Sequence, residues 1–158
     1  MPNEIEMEGP LVTDSRGWVH EFAHDAGEFA YRLSKDGGRK WYTTRYQLPN
    51  DMVAETWDVK VNGKLGIAVI ATHAKKDDGT FQDVVFKLDV KSTKAKLDKI
   101  YYVGDGNLAS TVGLDAASLL TGASTRVDFT TVAILPNGKI AVSFADKTYQ
   151  DPAIAILV

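Results

Sequence analysis

The chain has 158 residues, of which 44% are hydrophobic and 25% are charged, so it is long enough for one domain with a buried core. Its formal net charge of −3 argues against a basic field that gathers nucleic acid or anionic lipid, and we expect neither partner. Cysteine is absent, which excludes disulfides and thiolate metal sites, and no apolar run approaches the length of a membrane-spanning helix.

Three segments repeat one pattern, in which an apolar stretch, a turn containing glycine and a second apolar stretch follow one another. They are residues 11–22, 57–69 and 131–144, with Gly17, Gly63 and Gly138 in the turns. Asn62-Gly63 and Asn137-Gly138 are strong hairpin signals, because Asn and Gly tolerate the positive φ that tight hairpin turns require. We therefore predict three hairpins in which the three glycines occupy equivalent positions.

Further strands are expected after each hairpin. In the first repeat, 29–33 and 41–46 flank a turn, and in the second, 83–90 and 97–103 flank the lysine-rich turn 91–96. The third repeat supplies one more apolar strand, 153–158. Residues 104–125 are rich in Gly, Ala, Ser and Thr and are predicted to form an exposed loop, in which 115–120 could form one helical turn.

The turn of the first repeat reads Ser34-Lys35-Asp36-Gly37-Gly38-Arg39-Lys40-Trp41, which fits the pattern Ser-x-Asp-x-Gly-x-x-Trp. This pattern resembles the Asp box, or BNR repeat, of sialidase-like β-propellers. In that family the Asp carboxylate accepts backbone N–H bonds inside the turn and the Trp packs on it. The resemblance implies a structural role for Ser34, Asp36, Gly38 and Trp41. The lysine-rich turn lacks the glycines and the tryptophan, so we expect a degenerate box there.

The resemblance implies an all-β fold of antiparallel four-stranded blades of a sialidase-like β-propeller, within one propeller-type domain over residues 1–158. Blade 1 is expected at about 11–48, blade 2 at about 52–103 and blade 3 at about 126–158, the last without its outer strand. Three blades do not close a ring, since propellers have about 4–8. Either the chain belongs to a longer propeller, or two copies associate as a homo-oligomer and bury apolar flanks and the unprotected edge 154–158.

In such a propeller, with strands named A to D from the centre outward, the B–C and D–A connections line the functional face. The B–C connections are expected to hold His20, Glu21, His24, Asp25 and Glu28, then His73, Asp77 and Asp78, then Asp146, Tyr149 and Asp151. The candidate ligand-binding residues are His24, Trp57, His73, Arg126, Tyr149 and Asp151. Connections on a protein surface are usually polar whether or not they bind a ligand. The alternative that these residues have no binding role therefore stays open.

Sialidases use a tyrosine nucleophile paired with a glutamate, an aspartate acid/base, and three arginines that clamp the substrate carboxylate. This chain has five arginines, at positions 16, 32, 39, 45 and 126, and only Arg126 is expected near the functional face. The clamp is therefore incomplete in one chain. Asp25 and Asp146 remain as candidates for the two carboxylates that glycoside hydrolysis requires.

The sequence thus favours a non-catalytic recognition module that binds glycan through loops on one propeller face. The alternatives are a fragment of a sialidase-like glycoside hydrolase or other glycan-active enzyme, and a protein-interaction scaffold. No cofactor and no metal site are expected, because His20 and His24 on one strand lie too far apart to chelate. The family resemblance favours an extracellular or periplasmic location, although the acidic N-terminus contains no signal peptide.

Overall fold

The computed structural model describes residues 11–25, 27–48, 51–79, 81–103, 127–146 and 152–157. Within these ranges the chain forms strands and turns and no helix. The strands are β1 (Leu11–Thr13), β2 (Val19–Asp25), β3 (Glu28–Ser34), β4 (Tyr42–Gln47), β5 (Val53–Asn62), β6 (Ile67–Lys75), β7 (Phe81–Asp89), β8 (Lys96–Val103), β9 (Val127–Ile134), β10 (Ile140–Asp146) and β11 (Pro152–Leu157). The predicted loop and helical turn at 104–125 lie outside the described residues.

The strands form three antiparallel sheets, each from strands that are consecutive in the chain. The first sheet has the order β1-β2-β3-β4, the second β5-β6-β7-β8, and the third β11-β10-β9. The predicted all-β antiparallel class is confirmed. Sequential pairing reflects the short turns, since a turn of a few residues can join only antiparallel neighbours.

The second sheet is buried on both faces, with the other two sheets packed against it. Ala68 and Ile70 of β6 belong to a core shared with Phe22, Phe29 and Tyr31 of the first sheet. The alternate β6 residues belong to a second core, which groups Val69 and Ala71 with Val132, Ile140 and Val142 of the third sheet. The sequence of β6, Ile-Ala-Val-Ile-Ala-Thr-His-Ala-Lys, is nearly all apolar because neither face meets solvent.

The outer face of the first sheet differs from the apolar flank that we expected. Arg32 Nη1 lies 2.9 Å from Glu21 Oε1, and Arg45 Nη1 lies 3.6 Å from Glu28 Oε1, on the face turned away from the second sheet. Between these pairs lie only Ala23 and Ala30. The expectation of an apolar flank is therefore wrong for the first sheet. On the third sheet, Ala133, Ala141 and Ile156 lie on the corresponding outer face, where they form an uncharged surface.

The three predicted hairpins form, but their glycines are not all equivalent. In the first turn Gly17 donates its N–H to Asp14 O (3.0 Å), and in the third Gly138 donates to Leu135 O (2.8 Å), both with positive φ. In the second turn the positive φ belongs to Gly66 rather than Gly63. The prediction of equivalence is confirmed for Gly17 and Gly138 and is wrong for Gly63.

The sheets have two ends, which we call the turn end and the opposite end. The turn end carries the turns at 14–18, 35–41, 63–66, 90–95 and 135–139. The opposite end carries the connections from β2 to β3, from β4 to β5 and from β6 to β7. Because successive strands run in opposite directions, alternate turns of one sheet share an end, and the contacts of Arg16 with Val90 O and of Gly138 with Ile67 bring these ends of the three sheets together. The expected functional face corresponds to the opposite end.

Candidate functional site

The turn from Ser34 to Trp41 is held by its own side chains. Asp36 Oδ1 accepts the backbone N–H groups of Lys40 (2.9 Å) and Arg39 (3.1 Å), and it accepts the hydroxyl of Ser34 (2.9 Å). The Lys40 N–H bond is the largest cause that lowers the pKa of Asp36. Ser34 Oγ accepts the N–H of Gly38 at 2.9 Å. The carboxylate therefore replaces the backbone acceptors that a tight turn cannot supply.

Trp41 closes the same turn from one side. Its indole Nε1 donates to Gly38 O at 2.9 Å, and a Cβ atom at Gly38 would lie 3.6 Å from the indole ring. Gly38 has a φ of 91°, which side-chain-bearing residues rarely adopt. These contacts give the turn its own small core, and they assign Ser34, Asp36, Gly38 and Trp41 to structure rather than to ligand binding.

A buried polar network occupies the first turn of the chain. Asp14 Oδ2 accepts hydrogen bonds from Arg16 Nη2 (2.7 Å), Arg16 Nε (3.1 Å) and His20 Nε2 (2.7 Å). The other ring nitrogen of His20, Nδ1, is hydrogen-bonded to the hydroxyl of Tyr31. Because an ionised carboxylate only accepts, Nε2 of His20 carries the proton, and Nδ1 accepts the proton of Tyr31.

The protonation states of this network follow from its burial and its contacts. Burial alone raises the pKa of Asp14, but hydrogen bonds from Arg16 and His20 outweigh it and lower that pKa to about 2. Burial lowers the pKa of His20 against the opposing effect of Asp14, so the ring is neutral. Burial raises the pKa of Tyr31 far above its ordinary value. The group contains an acid, a histidine and a tyrosine, but His20 is only 1% exposed, so no substrate can reach it.

The same network joins the first sheet to the second. Arg16 Nη1 donates to Val90 O in the β7–β8 turn at 2.9 Å, and the guanidinium lies 3.6 Å from the ring centre of Trp18. A Cβ atom on Gly63 would lie 2.6 Å from Asp14 Cγ. Gly63 is therefore required because Asp14 approaches it closely, and not because of the positive φ that Asn62-Gly63 suggested.

A second histidine–aspartate pair lies on the other side of the second sheet. His73 Nδ1 lies 2.5 Å from Asp83 Oδ1, and the two side chains are 11% and 2% exposed. Their register on β6 and β7 places them on the face that packs against the third sheet. We expected His73 in a B–C connection, but it lies within β6, as His20, Glu21 and His24 lie within β2. The loop placement of these residues is wrong.

Trp57, midway along β5, and His24, near the end of β2, form an aromatic pair toward the opposite end. Their ring centres are 5.4 Å apart with an interplanar angle of 31°, and both side chains are half-buried. Trp57 also contacts Phe22 (5.0 Å) and Phe29 (5.5 Å), so its inner edge belongs to the core. Sequence reasoning selected both residues but did not foresee that they touch.

The other candidates that the structure describes lie in different sheets. Asp25 ends β2 of the first sheet and Asp146 ends β10 of the third, and the second sheet separates these two sheets. His24 and His73 lie on opposite sides of the second sheet for the same reason. Arg126, Tyr149 and Asp151 lie outside the described residues.

A shallow cavity at the opposite end was not foreseen. It has a volume of about 350 Å³ and lies between the β2–β3 and β4–β5 connections, lined by Gly27, Glu28, Gln47, Leu48, Asp51, Met52 and Val53. Leu48 N–H donates to Gly27 O at 2.8 Å, which ties the two connections together. No sequence pattern marks these residues, because they meet only through the pairing of β3 with β4.

Comparison with protein-family models and with curated proteins yields no match. In the part of the chain that the structure describes, no three or more His, Asp or Glu side chains are grouped so as to hold a metal ion. Across the same residues, no helix has the length and apolar character needed to cross a membrane.

Proposed function

We propose that the chain is a non-catalytic recognition module built from three blades of a sialidase-like propeller, and that it binds glycan at the opposite end. Three observations support the blade arrangement: three sequential antiparallel sheets, the second sheet packed between the other two, and the internal hydrogen bonds of the Ser34–Trp41 turn. A propeller repeats these features around an axis.

The location of the histidine–aspartate pairs supports a non-catalytic role. His20 with Asp14 and His73 with Asp83 are the described groups that most resemble acid–base machinery, and both pairs are buried between sheets. Arg16, Arg32 and Arg45 each have a carboxylate partner within the chain. Arginines already bound to protein carboxylates are poorly available to clamp the carboxylate of a substrate.

The observation that carries the glycan assignment is the half-buried Trp57–His24 pair at the opposite end. An indole held by core contacts on one edge offers a rigid apolar surface to a sugar ring, and the adjacent imidazole can bond a hydroxyl group.

A glycan array tests this proposal, followed by titration of any bound glycan against two matched variants. Trp57→Phe keeps an aromatic ring in the core but reduces the aromatic area that a sugar ring can contact. We expect this variant to bind the glycan about tenfold more weakly. Trp18→Phe makes the same change at the turn end and should leave affinity unaltered. Equal loss in both variants, or no glycan bound at all, would contradict the proposal. Turnover of fluorogenic glycosides that is lost in Asp25→Asn would favour the enzyme fragment instead.

The proposed propeller requires more than three blades, so we expect two copies to complete it or the chain to belong to a longer propeller. The uncharged group of Ala133, Ala141 and Ile156 on the outer face of the third sheet supports an association through that sheet. Light scattering should then give about twice the chain mass of 17.3 kDa. A folded monomer at micromolar concentration would contradict the homodimer, without bearing on glycan binding.

A further inference from the structure

Positive charge is concentrated at the turn end. The five turns contain eight basic side chains and two acidic ones, Asp14 and Asp36; the basic residues are Arg16, Lys35, Arg39, Lys40, Lys64, Lys91, Lys94 and Lys139. All of the basic residues except Arg16 are exposed. The turn end therefore carries a surplus of basic side chains in a chain whose net charge is −3.

The two aspartates of these turns are bonded by groups of their own sheet. Asp14 has a side chain with 0% exposure and is bound by Arg16 and His20. The carboxylate of Asp36 is occupied by the Ser34 hydroxyl and by the amides of its own turn. Asp36 is exposed and the half-buried Asp89 borders the β7–β8 turn, so both offset part of the basic charge, but seven exposed basic side chains still leave a positive surplus at this end.

Contacts between turns make these charges one surface. Arg16 bonds the β7–β8 turn at Val90, Val90 N–H donates to Gly66 O at 2.8 Å, and Gly138 lies beside Ile67 across the next interface. The surface therefore runs across all three sheets. A ligand that contacts it along its length must be extended and must carry repeated negative charges.

The aromatic and apolar residues near this surface argue against two kinds of polyanion, single-stranded nucleic acids and anionic membranes. Cations already cover aromatic rings here: Arg16 lies 3.6 Å from the Trp18 ring centre, Arg32 4.7 Å from that of Trp41, and Lys40 5.1 Å from that of Tyr42. Single-stranded nucleic acids need open aromatic faces for stacking, and membrane binding is strengthened by apolar side chains that insert. The exposed large hydrophobic residues of the described chain are Leu11, Val53 and Leu97, and none belongs to these turns.

We propose that the turn end is a second binding surface, which takes a linear acidic polysaccharide bearing sulfate or carboxylate groups. Such a polymer supplies repeated negative charges and has no bases to stack and no acyl chains to insert. Six of the eight basic side chains are lysines, which act as point charges toward single sulfate or carboxylate groups. This surface is separate from the Trp57–His24 pair and does not rest on glycan binding there.

The test uses the full chain with heparin as the sulfated probe and polygalacturonate as the carboxylated one. We expect binding at low salt that weakens steeply as salt screens the charges. Lys91→Gln with Lys94→Gln should weaken binding by about 25-fold, since each lysine near an anionic surface contributes roughly a fivefold factor. The matched control, Lys75→Gln with Lys76→Gln, makes the same change in net charge at the opposite end and should keep affinity within about twofold.

Several outcomes would overturn the proposal. These are equal loss in the two double variants, binding that survives high salt, and no binding of either polysaccharide at low salt. Binding of single-stranded DNA or of anionic phosphatidylserine vesicles as tightly as either polysaccharide would also overturn it, because the covered rings and the lack of inserting residues argue against both. Neutral dextran should not bind. Thermal unfolding of each variant verifies that the fold is retained.

Discussion

At the turn end, the first and second sheets meet through charged and polar groups, whereas toward the opposite end they meet through aromatic rings. Asp14, Arg16 and His20 form the contact at one end, with Gly63 giving the carboxylate room. At the other, Phe29 lies between Tyr46 (5.1 Å) and Phe86 (5.0 Å), with Trp57 beside them. Hydrogen bonds and ion pairs fix the contact at the turn end, whereas the aromatic contact depends on how completely the rings fill the space between the sheets. The two ends should therefore respond differently to substitution.

The largest effect is expected for Asp14→Ala. It leaves the His20 Nε2–H and the Arg16 guanidinium without their acceptor in a buried site, and such a loss costs about 3–5 kcal/mol. Denaturant unfolding measures it. Asp98→Ala, at a side chain that is 53% exposed, is the control and should stay within about 0.5 kcal/mol of the parent chain. Similar values for the two variants would mean that the network does not hold the sheets together.

Gly63→Ala tests the close approach at the turn end. The added Cβ would lie 2.6 Å from Asp14 Cγ, and Asp14 is fixed by its hydrogen bonds, so we expect a loss of about 1–3 kcal/mol. Gly27→Ala is the matched change at the opposite end, where the nearest heavy atom to the new Cβ, Met52 O, is at an ordinary 3.7 Å. It should be neutral by thermal unfolding. A neutral Gly63→Ala would show that Asp14 can move aside.

Acid should weaken the turn end in two stages. His20 has a folded-state pKa below its ordinary 6.5, so the unfolded chain binds more protons, and stability falls as the pH drops below about 6.5. Asp14, whose pKa falls from 3.8 to about 2, adds a loss of about 2 kcal/mol as the pH drops from 3.8 to 2.

Unfolding free energies over a pH series measure both stages, and His20→Gln should flatten the stage that begins at pH 6.5. If the pH dependence of the unfolding free energy is unchanged in this variant, a group other than His20 takes up the proton.

The smallest effect is expected for a change in the turn after β3. The turn after β7, at the corresponding place in the second sheet, serves for comparison. Ser34 is fully buried and its Oγ bonds both Gly38 N–H and Asp36, so Ser34→Ala should cost about 1 kcal/mol. Ser92 lies in the corresponding turn of the second sheet, is exposed, and bonds only Lys94 at 3.3 Å. Ser92→Ala should cost less than half as much in the same unfolding assay. Equal costs would remove the distinction between the two turns.

Local sequence predicted most of the strands and all three hairpins. Alternating and apolar runs bounded by Gly, Asn and Asp mark strands and turns because these residues act on the backbone within a few positions. The internal bonds of Ser34, Asp36 and Trp41 also depend on neighbours within the turn. Strand ends were less well predicted, and the polar residues of β2 were therefore assigned to a connection although they lie within the strand.

Only the tertiary structure could decide the properties that depend on contacts between residues far apart in the chain. Asn62-Gly63 indicated a turn by itself, but Gly63 is required because Asp14, from another sheet, lies against it. A net charge of −3 indicated no basic field, yet short turns at one end of antiparallel sheets bring six lysines together there. His73 is a polar residue in sequence and a buried one in the fold because a third sheet covers that face of β6. Backbone preference is local, whereas burial, close approach and electrostatic potential are sums over every segment that the fold brings near.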